Sequence, residues 1–233
     1  MKRDVITRLQ TLREEKHAIA LVTRLADGQQ SLVSEKVKEG ELSLSDATIA
    51  NIRQRLLEDL SGIITEGESE LFVRVYNPPL RLILIGAVHV SQALIPMATL
   101  LGFDVTVIDP RTAFASDERF PDVTMLTDWP DEGIRALRPD HRCALVTLTH
   151  DPKLDDPALK EGLLSDAFYI GSLGSRKTHA SRLERLRAEG LADESLARIH
   201  APVGIHLGGR RPPEIALSIM AQIIQSLRLK APS

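Results

Sequence analysis

An aliphatic run that ends in a glycine turn lies near the middle of the chain and reads Leu80-Arg81-Leu82-Ile83-Leu84-Ile85-Gly86-Ala87-Val88-His89. A short apolar run followed by a helical pattern is typical of a buried strand in a parallel sheet. Outward from it, strands are predicted at 80–85, 104–109, 123–126, 143–148 and 168–170, with helices at 91–101, 131–137, 156–164, 178–189 and 213–227. This alternation predicts an α/β fold with a Rossmann-like parallel sheet.

Two adjacent prolines mark the start of this region. Asn77-Pro78-Pro79 stiffens the backbone and removes two N–H donors, which interrupts regular structure. We therefore expect a small α+β domain at residues 1–77 and the Rossmann-like domain at residues 80–233. In the first domain, helices are predicted at 4–16 and 45–60, strands at 18–25 and 31–36, and a hairpin within 63–75, with Ser45 as a helix cap.

The composition excludes several classes of protein. Lys and Arg number 29 against 32 Asp and Glu, the net charge is −3, and aromatic residues make up 3% of the 233 residues. Nucleic acid is not expected as a partner, because its backbone attracts cationic surfaces and its single strands stack on aromatic side chains. The single cysteine, Cys143, excludes an intrachain disulfide. The longest apolar run, Leu82–Val88, is far shorter than a membrane helix of roughly 18 residues. No leader-like apolar segment follows Met1, so a cytoplasmic protein with no membrane contact is expected.

The turn after the first strand is the first candidate binding site. Gly86 follows that strand and Asp109 closes the next one 23 residues later, which is the context of a dinucleotide fingerprint. The fingerprint is incomplete, because Val88 stands where a second glycine lets the backbone approach a pyrophosphate. Two interpretations stay open at this point, a nucleotide site and a plain turn of the chain.

Three polar residues, Thr149-His150-Asp151, leave the carboxyl end of another predicted strand. Open α/β sheets bind their ligands at this edge. His150 would exchange a proton near neutral pH and Asp151 would orient it. The same residue types also cap turns, and Asp151-Pro152 is a common turn start, so the residues alone favour a structural role.

A glycine- and serine-rich segment joins the last predicted strand to a helix and reads Tyr169-Ile170-Gly171-Ser172-Leu173-Gly174-Ser175-Arg176-Lys177-Thr178. Its two glycines free backbone N–H groups, and the helix N-terminus adds a positive dipole. Cations in a first helical turn, here Arg176 and Lys177, oppose that dipole unless an anion lies between them. The segment therefore predicts a phosphate site. The arginines that follow, at positions 182, 185 and 187, are predicted to lie on a solvated helix face.

A loop over residues 199–216 leads into the final helix and carries two histidines and two arginines. These side chains are candidates for one wall of a pocket. The alternative is a purely structural role, because Pro213 and Glu214 are residues that commonly start a helix. Cys143 opens an aliphatic strand, so we predict a buried thiol rather than a reactive thiolate.

Taken together, these segments resemble the XdhC/CoxI family of accessory proteins for the maturation of molybdenum hydroxylases. The resemblance runs from about Arg81 to Ile224. The blocks that carry it are Gly86–Val90, Val107–Arg111, Glu118–Pro121, Leu148–Lys153, Tyr169–Arg176, Ile199–Gly204 and Pro213–Ala216.

The resemblance implies a Rossmann domain that binds and protects the molybdenum cofactor, as molybdopterin or molybdopterin cytosine dinucleotide. It implies delivery to an apo molybdenum hydroxylase such as xanthine or carbon monoxide dehydrogenase. A homodimer is implied, with a cysteine desulfurase and a molybdopterin nucleotidyltransferase as further partners. Family members usually show glycine at the position of Val88 and cysteine-glycine motifs before Asn77, which this chain lacks. The N-terminal domain is therefore a reduced version of the family's.

The combined expectation is a chaperone that makes and breaks no bond, with no catalytic and no metal-ligating residue. Candidate cofactor-binding residues are Gly86, His89, Asp109, Arg111, Thr149, His150, Asp151, Gly171, Ser172, Gly174, Ser175, Arg176 and Lys177. One alternative is an NAD(P)-dependent oxidoreductase, in which Asp109 binds a ribose and His150 donates a proton; Val88 counts against it. Another is a paralogue without cofactor that recruits partners through the N-terminal domain.

Overall fold

The structure is a computed structural model that describes residues 3–112, 119–121 and 123–229. The chain divides into two compact units, Met1–Pro78 and Pro79–Ser233. Glu118, quoted above in one of the family blocks, lies outside the described residues.

The first unit is an antiparallel sheet with one helix on each face. Its elements are α1 (Arg3–Glu14), β1 (Ile19–Arg24), β2 (Gln30–Val33), β3 (Lys38–Gly40), α2 (Asp46–Glu58), β4 (Gly62–Glu66) and β5 (Ser69–Tyr76), with strand order β3-β2-β1-β5-β4. Successive side chains of a strand point to opposite faces. Accordingly, Ala20 and Val22 pack in the cluster that contains α2, whereas Ile19 and Leu21 pack in the cluster that contains α1.

The cap of α2 is confirmed. The side chain of Ser45 accepts a hydrogen bond from the Thr48 N–H at 3.2 Å. This satisfies one of the donors that the first turn of a helix leaves open. The short edge strand β3 was not predicted, because Lys38–Gly40 is exposed along its whole length and carries no apolar alternation.

The second unit is a six-stranded parallel sheet covered by helices on both faces. Its elements are β6 (Leu80–Ile85), α3 (His89–Leu100), β7 (Phe103–Ile108), β8 (Thr124–Leu126), α4 (Pro130–Leu137), β9 (Cys143–Thr147), α5 (Pro152–Leu164), β10 (Tyr169–Ser172), α6 (Arg176–Ala188), α7 (Asp193–Leu196), β11 (Ile199–His200) and α8 (Pro212–Arg228). The predicted fold class, a Rossmann-like sheet with a small α+β N-terminal part, is confirmed.

Each face of the central strand β6 contributes to its own core. Leu82 and Leu84 pack with α3 and α8, whereas Ile83 and Ile85 pack with α4, α5 and α6. A strand buried on both faces reads as a continuous aliphatic run, which is why its limits were predictable from the sequence.

The strand order, β11-β10-β9-β6-β7-β8, contains one reversal. From β6 the chain first builds outward through β7 and β8, and then returns to the other side of β6 with β9. At such a reversal the loops that leave two neighbouring strands turn in opposite directions and open a crevice at the carboxyl edge. The fold therefore places the crevice between the ends of β6 and β9.

Candidate functional site

Gly86 and Thr149 lie side by side at this reversal. Gly86 has φ +111°, and its N–H donates to the Ile108 oxygen at 2.9 Å. A Cβ atom at Gly86 would lie 2.7 Å from Cγ2 of Thr149, closer than real side chains approach. The structure thus brings the first and second predicted segments together, and glycine is required at position 86 by both its backbone angle and its neighbour.

Asp109 directly follows β7, and its side chain bonds the backbone of the turn that follows β6. Its carboxylate is completely buried and accepts hydrogen bonds from the Ala87 N–H at 2.8 Å and from the backbone and side chain of Arg111 at 2.8–3.0 Å. Burial acts to raise the pKa of Asp109, but the bonds from Arg111 and Ala87 outweigh it and hold that pKa below its usual value. These donors occupy the acceptor positions that a ribose would need.

Arg111 is the part of this pair that reaches solvent, since its side chain is 36% exposed. The carboxyl groups of Asp109, Asp151 and Asp155 all raise its pKa, and burial opposes them. At the end of β7 the protein therefore presents a guanidinium in front of a carboxylate.

Val88 and His89 form the start of α3. Val88 occupies the N-cap position with no side-chain cap, and it packs against the hydrophobic core. His89 is the first helical residue and is exposed. The β-branched side chain predicted to obstruct a pyrophosphate is thus partly turned into the core, with Cγ1 3.6 Å from the Cβ position of Gly86.

The Thr149-His150-Asp151 segment leaves β9 as a tightly bonded turn. Thr149 donates through Oγ1 to Asp155 Oδ1 at 2.7 Å and accepts from the Asp151 N–H at 3.1 Å. Asp151 caps α5 by accepting from the Lys153 N–H at 3.0 Å, so the helix begins at Pro152, four residues before its predicted start. His150 is exposed and has φ +62°, an uncommon angle for a residue other than glycine.

Gly171 and Ser172 belong to the strand β10 and lie below the predicted phosphate loop. A Cβ atom at Gly171 would lie 2.6 Å from Cγ2 of Val203 and 2.9 Å from the ring of Tyr169. The hydroxyl of Ser172 is buried and pairs with that of Thr147 at 2.6 Å. Packing therefore requires glycine at position 171, a reason separate from the freeing of N–H groups on which the sequence prediction was based.

The remaining members of that segment lie in the β10–α6 loop, residues 173–175, and in the first turn of α6. Gly174 has φ +144°, which few other residues adopt. Ser175 caps α6 by accepting from the Thr178 N–H at 3.1 Å. Arg176 and Lys177 are the first two residues of the helix and are exposed. Their N–H groups are among those that a helix leaves without intrahelical partners, so this end of α6 presents donors and two cations together.

The prediction of a solvated arginine face on α6 is wrong for Arg182. This side chain is 2% exposed, because it lies one helical turn before the buried Leu186 on the inward face of the helix. Its Nη2 donates to the Leu173 oxygen at 3.2 Å and lies 3.7 Å from Oδ2 of Asp155. The four-residue spacing between Arg182 and Leu186 indicates that both lie on the same face of the helix. The prediction placed Arg182 in solvent because arginine is usually exposed.

Arg185 and Arg187 follow the prediction more closely. Arg187 is exposed and pairs with Asp193 at 2.7 Å. Arg185 is partly exposed and forms a bidentate pair with the buried Asp156, at 2.5 and 3.1 Å. Asp156 is therefore neutralised mainly by Arg185, since its Oδ1 is 3.8 Å from Nε of Arg182.

The fourth segment closes over the end of β10. The Val203 N–H donates to the Ser172 oxygen at 3.2 Å, and Gln222 accepts from both the Tyr169 hydroxyl and the Gly204 N–H, at 2.6 and 2.7 Å. His200 stacks on Tyr169 with ring centroids 4.6 Å apart, and burial lowers its pKa. The two arginines of the segment are exposed, and their backbone N–H groups are bonded by Glu214.

Cys143 is completely buried in β9, and burial raises the pKa of its thiol to about 12. This environment agrees with the prediction of a buried, unreactive thiol.

Across residues 3–112, 119–121 and 123–229, no three side chains of His, Cys, Asp or Glu are grouped as a metal ion would require. In the same ranges, no helix combines the length and apolar character needed to span a bilayer.

Comparison with known proteins identifies the Rossmann-like unit. The family model described as the XdhC Rossmann domain matches residues 82–223. A protein of Bacillus subtilis (strain 168), named as a probable subunit of xanthine dehydrogenase, is 31% identical over 182 residues, covering 78% of this chain and 53% of that protein. The molybdenum cofactor insertion chaperone PaoD of Escherichia coli (strain K12) is 30% identical over 154 residues, covering 66% of this chain and 42% of that protein.

A solved structure agrees with these relatives. The crystal structure of a xanthine dehydrogenase from Bacillus halodurans superposes with a TM-score of 0.75 at 26% identity, covering 97% of this chain and 67% of that one. The chain spans between 31% and 53% of the length of the curated relatives it matches. Because the family model covers more than half of the chain and includes every candidate binding residue, the chain belongs to the XdhC family.

Proposed function

We propose that this protein binds the molybdenum cofactor, as molybdopterin or molybdopterin cytosine dinucleotide, and assists its insertion into a molybdenum hydroxylase. The names of two relatives, a molybdenum cofactor insertion chaperone and a probable xanthine dehydrogenase subunit, support this role. The observation that carries the proposal is the start of α6, where a helix N-terminus capped by Ser175 coincides with two exposed cations, Arg176 and Lys177.

The donors at this loop fit the phosphate end of the cofactor. Backbone N–H groups at a helix start bind phosphate oxygens, and the helix dipole favours a negative charge there. Arg176 and Lys177 add positive charge at the start of α6, whereas the charge of Arg111 at the end of β7 is balanced by Asp109. A dinucleotide form would extend from the loop toward the crevice between β6 and β9.

The metal end of the cofactor finds no matching thiolate in this chain. If a protein thiolate helps to hold the cofactor's sulfur in other family members, the single cysteine of this chain, Cys143, cannot do so, because it is buried and burial raises its pKa to about 12. We therefore propose that the chain holds its cargo through phosphate groups. The redox chemistry of the cofactor belongs to the client enzyme, and we propose no catalytic residue for this protein.

The oxidoreductase alternative loses its ribose acceptor, because Asp109 is already bonded by Ala87 and Arg111. We propose instead a cytoplasmic handover to an apo molybdenum hydroxylase, with a cysteine desulfurase and a molybdopterin nucleotidyltransferase as further partners. We also propose that the protein acts as a homodimer.

Charge reversal at the loop tests the proposed site. We expect the double variant Arg176→Glu, Lys177→Glu to lose most of the cofactor that copurifies from cells making it, since both side chains are exposed and serve an anion rather than the core. The measurement is cofactor fluorescence and mass spectrometry of the purified protein. Arg187→Glu is the control, because Arg187 lies at the far end of the same helix. Equal retention in the loop variant and the control would contradict the proposal.

A further inference from the structure

The antiparallel sheet of the first unit has two edges of different character. One edge is β3, a three-residue strand that carries Lys38 and Glu39, and Glu39 is paired with Arg8 of α1 at 3.1 Å. Short and charged edge strands resist pairing with another chain. The opposite edge is β4, which reads Gly62-Ile63-Ile64-Thr65-Glu66 and, among the described residues, pairs with β5 alone. This strand carries no lysine and no proline, so it lacks such protection.

The hydrogen-bonding groups at the centre of β4 point away from the sheet. The Glu70 oxygen of β5 accepts a hydrogen bond at 2.9 Å from the residue that follows β1. Because the backbone groups of successive residues point to opposite neighbours, the next residue, Leu71, points toward β4 and bonds its register partner Ile64. The N–H and C=O groups of Ile63 and Thr65, on either side of Ile64, therefore face outward from the edge.

An apolar surface accompanies these free groups. Ile63 lies opposite Phe72 of β5, and the two side chains are 54% and 37% exposed. They lie on the face of the sheet that carries α1, but α1 packs mainly against β1 and β2. A strand added beside β4 would both bond the edge and cover Ile63.

Charges at the two ends of β4 are complementary when two copies of the strand pair antiparallel about Ile64. In that register Glu66 lies opposite Gly62 of the partner subunit. Arg55 lies beside Gly62, with Nη1 3.6 Å from the position that a Cβ atom would occupy. Glu66 accepts from the Ser45 N–H at 2.8 Å, and this bond lowers the pKa of Glu66, so the carboxylate is charged at neutral pH. The two-fold axis thus brings a carboxylate near a guanidinium on each side of the central contact.

We infer that β4 is the contact surface of a homodimer, in which the β4 strands of two copies pair antiparallel about Ile64 and join two five-stranded sheets into one. The backbone groups of Ile63 bond those of Thr65 of the partner subunit, and the same bonds form again across the axis. Such a surface is self-complementary, as a two-fold interface requires. The inference rests on the homodimer proposed above, gives it a surface, and is independent of cofactor binding.

The oligomeric state of the full chain tests this surface, measured by size-exclusion chromatography with light scattering over a dilution series. We expect the wild type to be a dimer and Ile63→Lys to raise the dissociation constant by about tenfold or more, because a charge on an edge strand opposes pairing. The matched control is Glu39→Lys, which places a lysine on the opposite edge of the same sheet. The control is expected to dimerise within about twofold of the wild type.

A disulfide tests the register. In the proposed pairing Ile64 lies opposite Ile64 of the partner subunit in a non-hydrogen-bonded pair, where Cα atoms are about 4.5 Å apart and within reach of a disulfide. Ile64→Cys is therefore expected to form a covalent dimer on mild oxidation, seen on a non-reducing gel. Glu39→Cys, on the other edge, is expected to stay uncrosslinked. The native Cys143 is completely buried and does not contribute.

Three results overturn the inference: a monomeric wild type, a folded Ile63→Lys that dimerises like the wild type, or an Ile64→Cys that crosslinks no more than Glu39→Cys. If Ile63→Lys does not fold, Thr65→Pro takes its place, because it removes an outward N–H that β5 does not use. The cofactor role is judged separately. A monomeric wild type that still copurifies with cofactor overturns the dimer alone, and a dimeric wild type without cofactor overturns the cofactor role alone.

Discussion

At position 171, in β10, the surrounding side chains leave no room for a Cβ atom. A methyl group there would meet Val203 at 2.6 Å and the Tyr169 ring and hydroxyl at 2.9 Å. Overpacking of a close-packed core typically destabilises by about 1–3 kcal/mol. We expect Gly171→Ala to lower the free energy of unfolding by that amount, measured by urea denaturation monitored by circular dichroism.

The control for this prediction is the double variant Gly171→Ala, Val203→Ala. Removing Cγ2 of Val203 relieves the shortest contact, so the two changes together are expected to be less destabilising than their sum. Strict additivity would show that Val203 does not impose the glycine.

Residue identity misled the sequence prediction most clearly at Arg182. A run of arginines and glutamates on a helix usually indicates a solvated face, and that held for Arg187. Arg182 departs from it because Asp155 and Asp156, 26 or more residues earlier in the chain, supply the counter-charges that burial requires. A partner so distant in sequence leaves no local pattern.

At the level of elements, the turn between β6 and α3 depends on a carboxylate from β7. Asp109 accepts from Ala87 and from Arg111, and its pKa lies below the usual value. A lowered pKa means that this contribution to stability is complete above the unfolded-state pKa of about 3.9 and is lost as the pH falls through the folded-state value.

Asp109→Asn tests this contribution. An asparagine directs an amide donor toward the Arg111 donors, so we expect a loss of about 1–3 kcal/mol in the free energy of unfolding at pH 7. The difference from the wild type is expected to shrink as the pH falls below about 4. Chemical denaturation across pH 3–7 measures both. The control, Asp193→Asn, breaks an exposed pair with Arg187 and is expected to change little. A difference that is constant with pH would contradict the prediction.

Elements with strong local signals were predictable, and elements defined by tertiary contacts were not. The limits of β6 were predicted to the residue, because both of its faces are buried by aliphatic side chains. The two-residue strand β11 was not predicted, because it exists only through its pairing with β10. The helix α7 was not predicted either, and it is only four residues long. The start of α5 was placed late because the helix begins with Pro152 and charged residues before its apolar face.

At the scale of the whole molecule, each unit contains its own hydrophobic clusters. Two clusters are made only of residues before Pro78, and the other two only of residues after Pro79. A unit of about 150 residues buries enough surface to fold alone. We expect the fragment Pro79–Ser233 to unfold cooperatively and to bind pyrophosphate within about twofold of the full chain, as measured by thermal denaturation and calorimetry. A fragment that aggregates or melts without cooperativity would contradict this expectation.

The parallel sheet was predictable at this scale, but its strand order was not. Alternating strands and helices indicate a doubly covered sheet, while the side of β6 on which β9 is added depends on contacts far apart in sequence. For the same reason the sequence named Gly86 and Thr149 as members of separate segments, and only the structure shows that they touch.

The contact between Gly86 and Thr149 also limits the order in which the gene can change. A first substitution at position 86 meets both an unfavourable φ and the Thr149 methyl, so such alleles pass through a poorly folding intermediate. Thr149→Ser as the first step keeps the hydroxyl that bonds Asp155 and removes the obstructing methyl. That step relieves the steric contact alone, so the backbone angle of +111° is expected to keep glycine at position 86 even in lineages that have altered position 149.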